Sequence, residues 1–229
     1  MKLRQLGQDG PLVSAVGYGA MSFTDFYGPA DNYSSAKVLD ACLEKGISHL
    51  DTADVYGMGR SETVIGDWLK ARGGTCPFTI ATKVGITRDA EHRFDNSRAH
   101  MTQSLNASLK RLNVDVIDLY YVHRRDTRVE IEDVTEVLAG FVKEGKVRAI
   151  GYSEIAPSSL KRANAVHPIA AVQSEYSLST RSPEMGLLQT CKEIGATLVA
   201  FSPVGRALLT DRPHTRKSAE KLTFLANNP

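Results

Sequence analysis

Apolar positions along this chain follow two alternating rhythms. Short apolar runs, several with little polar interruption, are each followed by a longer stretch in which apolar residues recur at helical spacing. The N-terminus differs. Lys2–Leu6 and Leu12–Ser14 flank Asp9-Gly10, and Asp-Gly between short apolar runs predicts a β-hairpin. Ser14–Met21, closed by glycines, predicts a strand. Ser34 or Ser35 is the expected cap of a helix through Lys45, which presents Val38, Leu39, Cys42 and Leu43 on one face and stops at Gly46. A strand ending at Asp51 follows, and the alternation then repeats. A helix over Glu62–Ala71, with Val64, Ile65, Trp68 and Leu69 inward, precedes the strand Phe78–Lys83. A helix over Ser97–Leu112 precedes Val116–His123, and one over Ile131–Glu144 precedes Val147–Ser153. Pro157 starts a short helix before Ile169–Gln173, and Pro183 starts another, Met185–Ile194, before Thr197–Ser202.

This alternation predicts a parallel sheet covered by helices, closed into a barrel or open and doubly wound. Runs such as Val116–Val122 and Leu198–Phe201 are nearly apolar throughout, as strands covered on both faces are. No Gly-x-Gly-x-x-Gly follows the first long strand, which disfavours the open dinucleotide-binding arrangement. The expected fold is therefore α/β, a (β/α)8 TIM barrel with an N-terminal β-hairpin. Such barrels run to about 250 residues. The 229 residues here show seven strand-plus-helix steps, the seventh incomplete, and no eighth strand before Asn227-Asn228-Pro229. The expectation is a single barrel domain over residues 1–229 that is incomplete at its C-terminus. An open barrel exposes two sheet edges, so a further C-terminal segment or a partner chain is expected to cover the gap.

Composition refines this mainly by exclusion. With 42% hydrophobic and 24% charged residues, the chain can fill a sizeable core, which sets disorder aside. A net charge of +2, with no basic run carrying interleaved aromatics, argues against a nucleic-acid partner. Cys42, Cys76 and Cys191 lack metal-ligand spacing, so reduced structural thiols and no metal site are expected, with Cys76 the exposed one. No apolar leader opens the chain and no run approaches a membrane span, so a cytoplasmic protein without a membrane partner is expected.

The chemistry gathers at strand ends. In a (β/α)8 barrel, reactive residues sit at the C-terminal ends of the strands and converge on one mouth. Asp51, Lys83 and His123 each close an expected strand, and Tyr56 lies in the loop after Asp51. A phenol with a reference pKa of about 10 is a poor acid at neutral pH. A cation beside it lowers that value, and a carboxylate on the cation's other side holds the cation in place. Asp51, Lys83 and Tyr56 make such a relay, and a neutral His123 opposite can orient a carbonyl oxygen.

The segments His49-Leu-Asp51-Thr-Ala-Asp-Val-Tyr56-Gly, Ala81-Thr-Lys83-Val-Gly and Tyr120-Tyr-Val-His123 resemble those of the aldo-keto reductases, in order and in spacing. The likeness runs from about residue 2 to residue 210. It implies reduction of aldehydes and ketones with NADPH by hydride transfer, with Tyr56 as proton donor, Asp51 and Lys83 tuning it, and His123 orienting a small carbonyl substrate. It also implies cofactor positions. Gly19, Ala20 and Met21 match the first-strand loop near the nicotinamide. Gly151-Tyr-Ser153-Glu154 matches a Gly-x-Ser-Asn pattern that binds the carboxamide, with Glu154 in place of the asparagine. A glutamate accepts from the amide N–H but cannot donate to its oxygen. Gln173 matches the other carboxamide partner. Phe201, Ser202, Val204 and Arg206 match the seventh-strand loop that stacks on nicotinamide and begins the pyrophosphate clamp. The family's adenosine site follows an eighth strand, and Lys217 and Lys221 are not assigned to it. The alternative reading keeps the fold without turnover, as a non-catalytic or impaired binding or regulatory subunit or fragment.

Three side-chain groups complete the picture. Arg124, Arg125 and Arg128 are read as a solvated loop, with attraction of an anionic substrate as the alternative. Phe23, Phe26, Tyr27 and Arg124 suggest an aromatic or medium-sized carbonyl compound. Tyr120 and Tyr121 are read as core.

Overall fold

The computed structural model describes residues 1–220. Leu3–Gln5 (β1) and Leu12–Ser14 (β2) pair antiparallel with Arg4 opposite Val13, the hairpin that Asp9-Gly10 predicts. The remaining strands form one parallel sheet in chain order: Tyr18–Gly19 (β3), His49–Asp51 (β4), Thr79–Val84 (β5), Ile117–Val122 (β6), Val147–Ser153 (β7), Ala171–Glu175 (β8) and Thr197–Phe201 (β9). Each crossover carries a helix: Asn32–Glu44 (α1), Arg60–Ala71 (α2), Arg98–Leu112 (α3), Ile131–Lys143 (α4), Pro157–Val166 (α5) and Leu187–Ile194 (α6). Parallel neighbours joined in sequence through helices are the progression of a (β/α) barrel. Among the described residues the sheet has seven parallel strands, and none lies beyond β3 or β9. A short helix, Arg216–Ala219 (α7), follows; Lys221 and the final stretch to Pro229 lie outside the described residues.

Two apolar layers cover the curved sheet. Outward-facing Leu50, Ile80, Tyr120, Ile150, Tyr152 and Val172 join the helical residues Leu39, Ile65, Leu69, Leu105, Leu138 and Leu160 in the main core. Inward-facing Ala81, Leu119, Tyr121 and Ala171 form a smaller cluster with Leu6 and Val13 of the hairpin. The two sets alternate along each strand, as the two-residue period requires. The hairpin lies across the strand starts, where Gly7 N–H donates to Thr197 Oγ1 at 2.8 Å and Gln8 Nε2 donates to Ile194 O at 3.1 Å. The inner Tyr121 ring fits only because residue 151 is glycine. A Cβ there would stand 2.6 Å from both Tyr121 Cδ1 and Ala171 O.

Several boundaries depart from the sequence reading, each for a local reason. Ser14–Met21 is not one strand. β4 ends at Asp51 and offers no partner past Gly19, so Ala20–Phe23 winds into a 3₁₀ turn whose Ala20 carbonyl accepts Ser61 Oγ at 2.8 Å. α1 is capped by Asp31 rather than Ser34 or Ser35: its Oδ1 accepts from Ser34 N–H at 2.8 Å, and a carboxylate there also suits the helix dipole. β8 starts at Ala171, not Ile169, because Ile169 N–H is taken by Asn164 Oδ1 at 3.0 Å. The helix expected from Met185 begins at Leu187, since Gly186 at φ 123° separates it from the 3₁₀ turn Ser182–Glu184. Cys42 and Cys191 are buried, while Cys76 is half-buried with its thiol donating to Phe78 O at 3.2 Å, so it is not the exposed thiol expected. Among the described residues no helix is long and apolar enough to cross a membrane, and no His, Cys, Asp and Glu group is arranged to hold a metal.

Candidate active site

Backbone pairing brings the strand-end residues to one level. Asp51 lies opposite Ala81, Asp54 N–H donates to Lys83 O at 3.1 Å, and His123 N–H donates to Val84 O at 2.8 Å. Lys83 is one residue short of the end of β5 and His123 one past the end of β6, so neither closes its strand as expected. The parity still holds. Ala81, Leu119 and Tyr121 face inward, and the two-residue period carries Lys83 and His123 to the same side. Tyr56 arrives from the loop, where its N–H donates to Ala53 O at 3.1 Å.

The four side chains meet there. Lys83 Nζ donates to Asp51 Oδ1 in a short ion pair, to Thr52 O at 2.8 Å and to Tyr56 Oη at 3.5 Å. The rings of Tyr56 and His123 meet edge to face with centroids 5.7 Å apart. The Lys83 side chain is wholly buried, which disfavours its charge, yet Asp51 and Tyr56 outweigh that and hold its pKa above the ordinary lysine value. Burial acts most strongly on Tyr56 as well and leaves its phenol above the usual value, although Lys83 pulls the other way. The expected net lowering by Lys83 does not occur. The lysine's field is offset by Asp51, and burial penalises the phenolate more. Burial, then Lys83 and Arg124, push His123 down to about 2, so the imidazole is neutral; its Nδ1 is buried without a partner among the described residues.

The cofactor positions expected from the sequence divide into two groups. Gly19 pairs with Asp51 across β3 and β4, and Ala20 and Met21 follow in the 3₁₀ turn. Ser153 and Gln173 are register partners on β7 and β8. Gln173 Nε2 donates to Asp51 Oδ2 at 2.7 Å, and Ser153 Oγ accepts from Arg124 Nη1 at 3.0 Å, so both join the tetrad's surroundings. Glu154 does not. At φ 52° its Oε1 accepts from Glu175 N–H at 2.8 Å and from Ser174 Oγ at 3.2 Å, which turns it toward the outer face on which Ser174 lies. Phe201 closes β9 opposite Glu175. Ser202 and Arg206 follow in left-handed conformations on a loop where Val204 is exposed, and the Arg206 guanidinium is 3.9 Å from Glu175. Tyr27 is close enough to Tyr56 and Arg206 for both to act on its phenol.

Other expectations change. Phe23 is 1% exposed and belongs to the core, so it lines no pocket, whereas Phe26 and Tyr27 are exposed. The three arginines are not one solvated loop. Arg128 pairs with Asp126 at 2.8 Å, Arg125 donates to Ser159 Oγ at 2.9 Å, and Arg124 is half-buried against Ser153. A buried cluster behind the tetrad escaped the sequence reading. Glu62 is wholly buried on α2, accepting Thr82 Oγ1 at 2.5 Å and Arg111 Nε at 2.7 Å. Its signal was available, since helical spacing puts Glu62 on the same face as Ile65 and Leu69, where a carboxylate needs a partner.

Known proteins share this fold. The Aldo/keto reductase family model matches residues 15–227. The NADP(+) aldo-keto reductase yakc of Schizosaccharomyces pombe is 38% identical over 213 residues, covering 90% of this chain and 62% of the relative. Aldo-keto reductase str7 of Strobilurus tenacellus is 43% identical over 216 residues, with the same two coverages of 90% and 62%. The chain thus spans less than two thirds of the length of these relatives. Among solved structures, the holo form of aldo-keto reductase AKR11C1 from Bacillus halodurans superposes with a TM-score of 0.83 at 34% identity, covering 94% of this chain and 71% of that one.

Proposed function

The chain belongs to the aldo-keto reductase family, and on that premise we propose that it reduces aldehyde or ketone carbonyls to alcohols, with NADPH as hydride source and Tyr56 as proton donor. The observation that carries this reading is the continuous contact from Asp51 through Lys83 to Tyr56, with His123 against the phenol ring. NADPH, when bound, supplies the hydride to the carbonyl carbon. Tyr56 gives its proton to the carbonyl oxygen, and its raised pKa keeps the acid form available at neutral pH. The phenolate that results lies beside the Lys83 ammonium, so the charge that develops meets a preplaced cation. Asp51 keeps that cation in position. Neutral His123 offers an N–H to the carbonyl oxygen without competing for the proton.

The residues present fit a nicotinamide carboxamide. Gln173 Nε2 is committed to Asp51, which leaves its Oε1 as an acceptor. Ser153 Oγ accepts from Arg124, which leaves its own proton to donate. An acceptor and a donor on register-paired residues match the N–H and C=O of a primary amide. Glu154 takes no part in this reading. Gly19, Ala20 and Met21 border the ring position, and Phe201, Ser202, Val204 and Arg206 complete the cradle, all within one barrel domain over residues 1–229. The NADP(+) in the name of yakc supports the choice of cofactor.

Titration of the chain with NADPH, followed by turnover of a simple aldehyde, tests the proposal. Tyr56→Phe is expected to bind NADPH as before and to lose about 10²- to 10⁴-fold in turnover, the usual worth of a placed general acid. Retained turnover would assign the acid elsewhere. A folded chain that fails to bind NADPH would remove the cofactor reading.

A further inference from the structure

We propose that Arg124 makes this site selective for carbonyl substrates that carry a carboxylate, an inference that rests on the reductase reading and names its substrate class. Arg124 follows His123 at the end of β6, and Asn96 Nδ2 fixes its carbonyl at 3.2 Å. Its Nη1 donates to His123 O at 2.6 Å and to Ser153 Oγ at 3.0 Å, so the side chain bends along the rim from β6 to β7. The guanidinium is close enough to the reacting groups to add to the effect of burial and Lys83 on His123, and to join Lys83 in opposing the upward push of burial on Tyr56.

Its own charge is unanswered. Arg111, Arg128 and Arg162 each have a carboxylate partner, but among the described residues Arg124 has none within ion-pairing distance. The acids near this rim are engaged elsewhere, Glu154 with the Glu175 backbone and Glu175 toward Arg206. Arg125 is unpaired too, but it reaches Ser159 at the start of α5, on the outer side. Guanidinium has five N–H donors, and the hydrogen bonds of Arg124 use only Nη1, on neutral acceptors. A half-buried cation without a counter-ion is costly, and a neutral donor would brace Ser153 as well. A carboxylate on the substrate supplies the missing charge and matches the planar fork. With the carboxylate on Arg124, the carbonyl end lies toward Tyr56 and His123.

The test compares para-carboxybenzaldehyde with benzaldehyde at saturating NADPH, in the 229-residue chain, Arg124→Met and Arg124→Lys. The ratio of kcat/KM between the two aldehydes cancels any effect on folding, cofactor or proton transfer. It is expected to favour the carboxylate by about 10- to 100-fold, the worth of a charge-assisted hydrogen bond. Arg124→Met should bring the ratio to about one through KM, and Arg124→Lys should restore part of it. Equal use of both aldehydes by the parent chain, or an unchanged ratio in Arg124→Met, overturns the proposal. If neither aldehyde is reduced, the reductase reading fails, and calorimetry with para-(hydroxymethyl)benzoate against benzyl alcohol decides the anion site separately. Selective binding that Arg124→Met abolishes upholds it; no selectivity overturns it.

Discussion

Asp54 lies in the loop between β4 and Tyr56 with its Oδ1 buried and unpartnered among the described residues. Burial first, then the Glu62 carboxylate, push its carboxyl from 3.8 up to about 7. The folded state therefore holds this proton where the unfolded chain releases it. The stability it contributes is complete below about pH 4 and is lost as pH rises through about 7. Asp54→Asn keeps the shape and removes the charge. It is expected to flatten that decline and to gain up to ~4 kcal/mol at pH 8. Urea unfolding at about pH 5 and about pH 8 checks this, and an unchanged pH slope would place the proton elsewhere. At this scale, identity was legible and environment was not. Asp51, Tyr56, Lys83 and His123 stand out at or beside strand ends, but the phenol's raised pKa depends on burial that no local pattern encodes.

At the scale of elements, α2 and α3 approach closely at Gly66, where a Cβ would stand 2.0 Å from Arg111 O. In an isolated helix, alanine would be the better residue by roughly 1 kcal/mol. Here Gly66→Ala must push the helices apart and is expected to destabilise by about 1–3 kcal/mol, read from the urea midpoint. A stabilised variant would show that the two helices separate freely. The same packing joins Glu62 to Arg111 and Thr82, so the helix that follows the Tyr56 loop is tied to the strand carrying Lys83. Elements with an unbroken local pattern were legible, as β7 shows, expected and found over Val147–Ser153. β3 was not, because the length of a paired strand is set by its neighbour, and β4 stops at Asp51.

At the scale of the molecule, the proposed cofactor positions come from β3, β7, β8 and the loop after β9, which include both edges of the sheet. NADPH binding would therefore tie distant strands together and oppose global unfolding. At a concentration of about 100 times Kd, NADPH is expected to add ~2.7 kcal/mol to stability and to raise Tm, and Tyr56→Phe should keep that shift. A Tm indifferent to saturating NADPH would count against the cradle as a whole. The sequence by itself determined the strand–helix alternation, the hairpin, and the set Asp51, Tyr56, Lys83 and His123, because two-residue and helical periods are local and strand ends are read from them. Only the tertiary structure decided where the polar groups point: Gln173 to Asp51 across 122 residues of chain, Glu154 outward to β8, Arg124 along the rim to Ser153. Each of those choices is made by a partner distant in sequence, which becomes a neighbour when adjacent strands pair or, for Gln173 and Asp51, when the sheet curls.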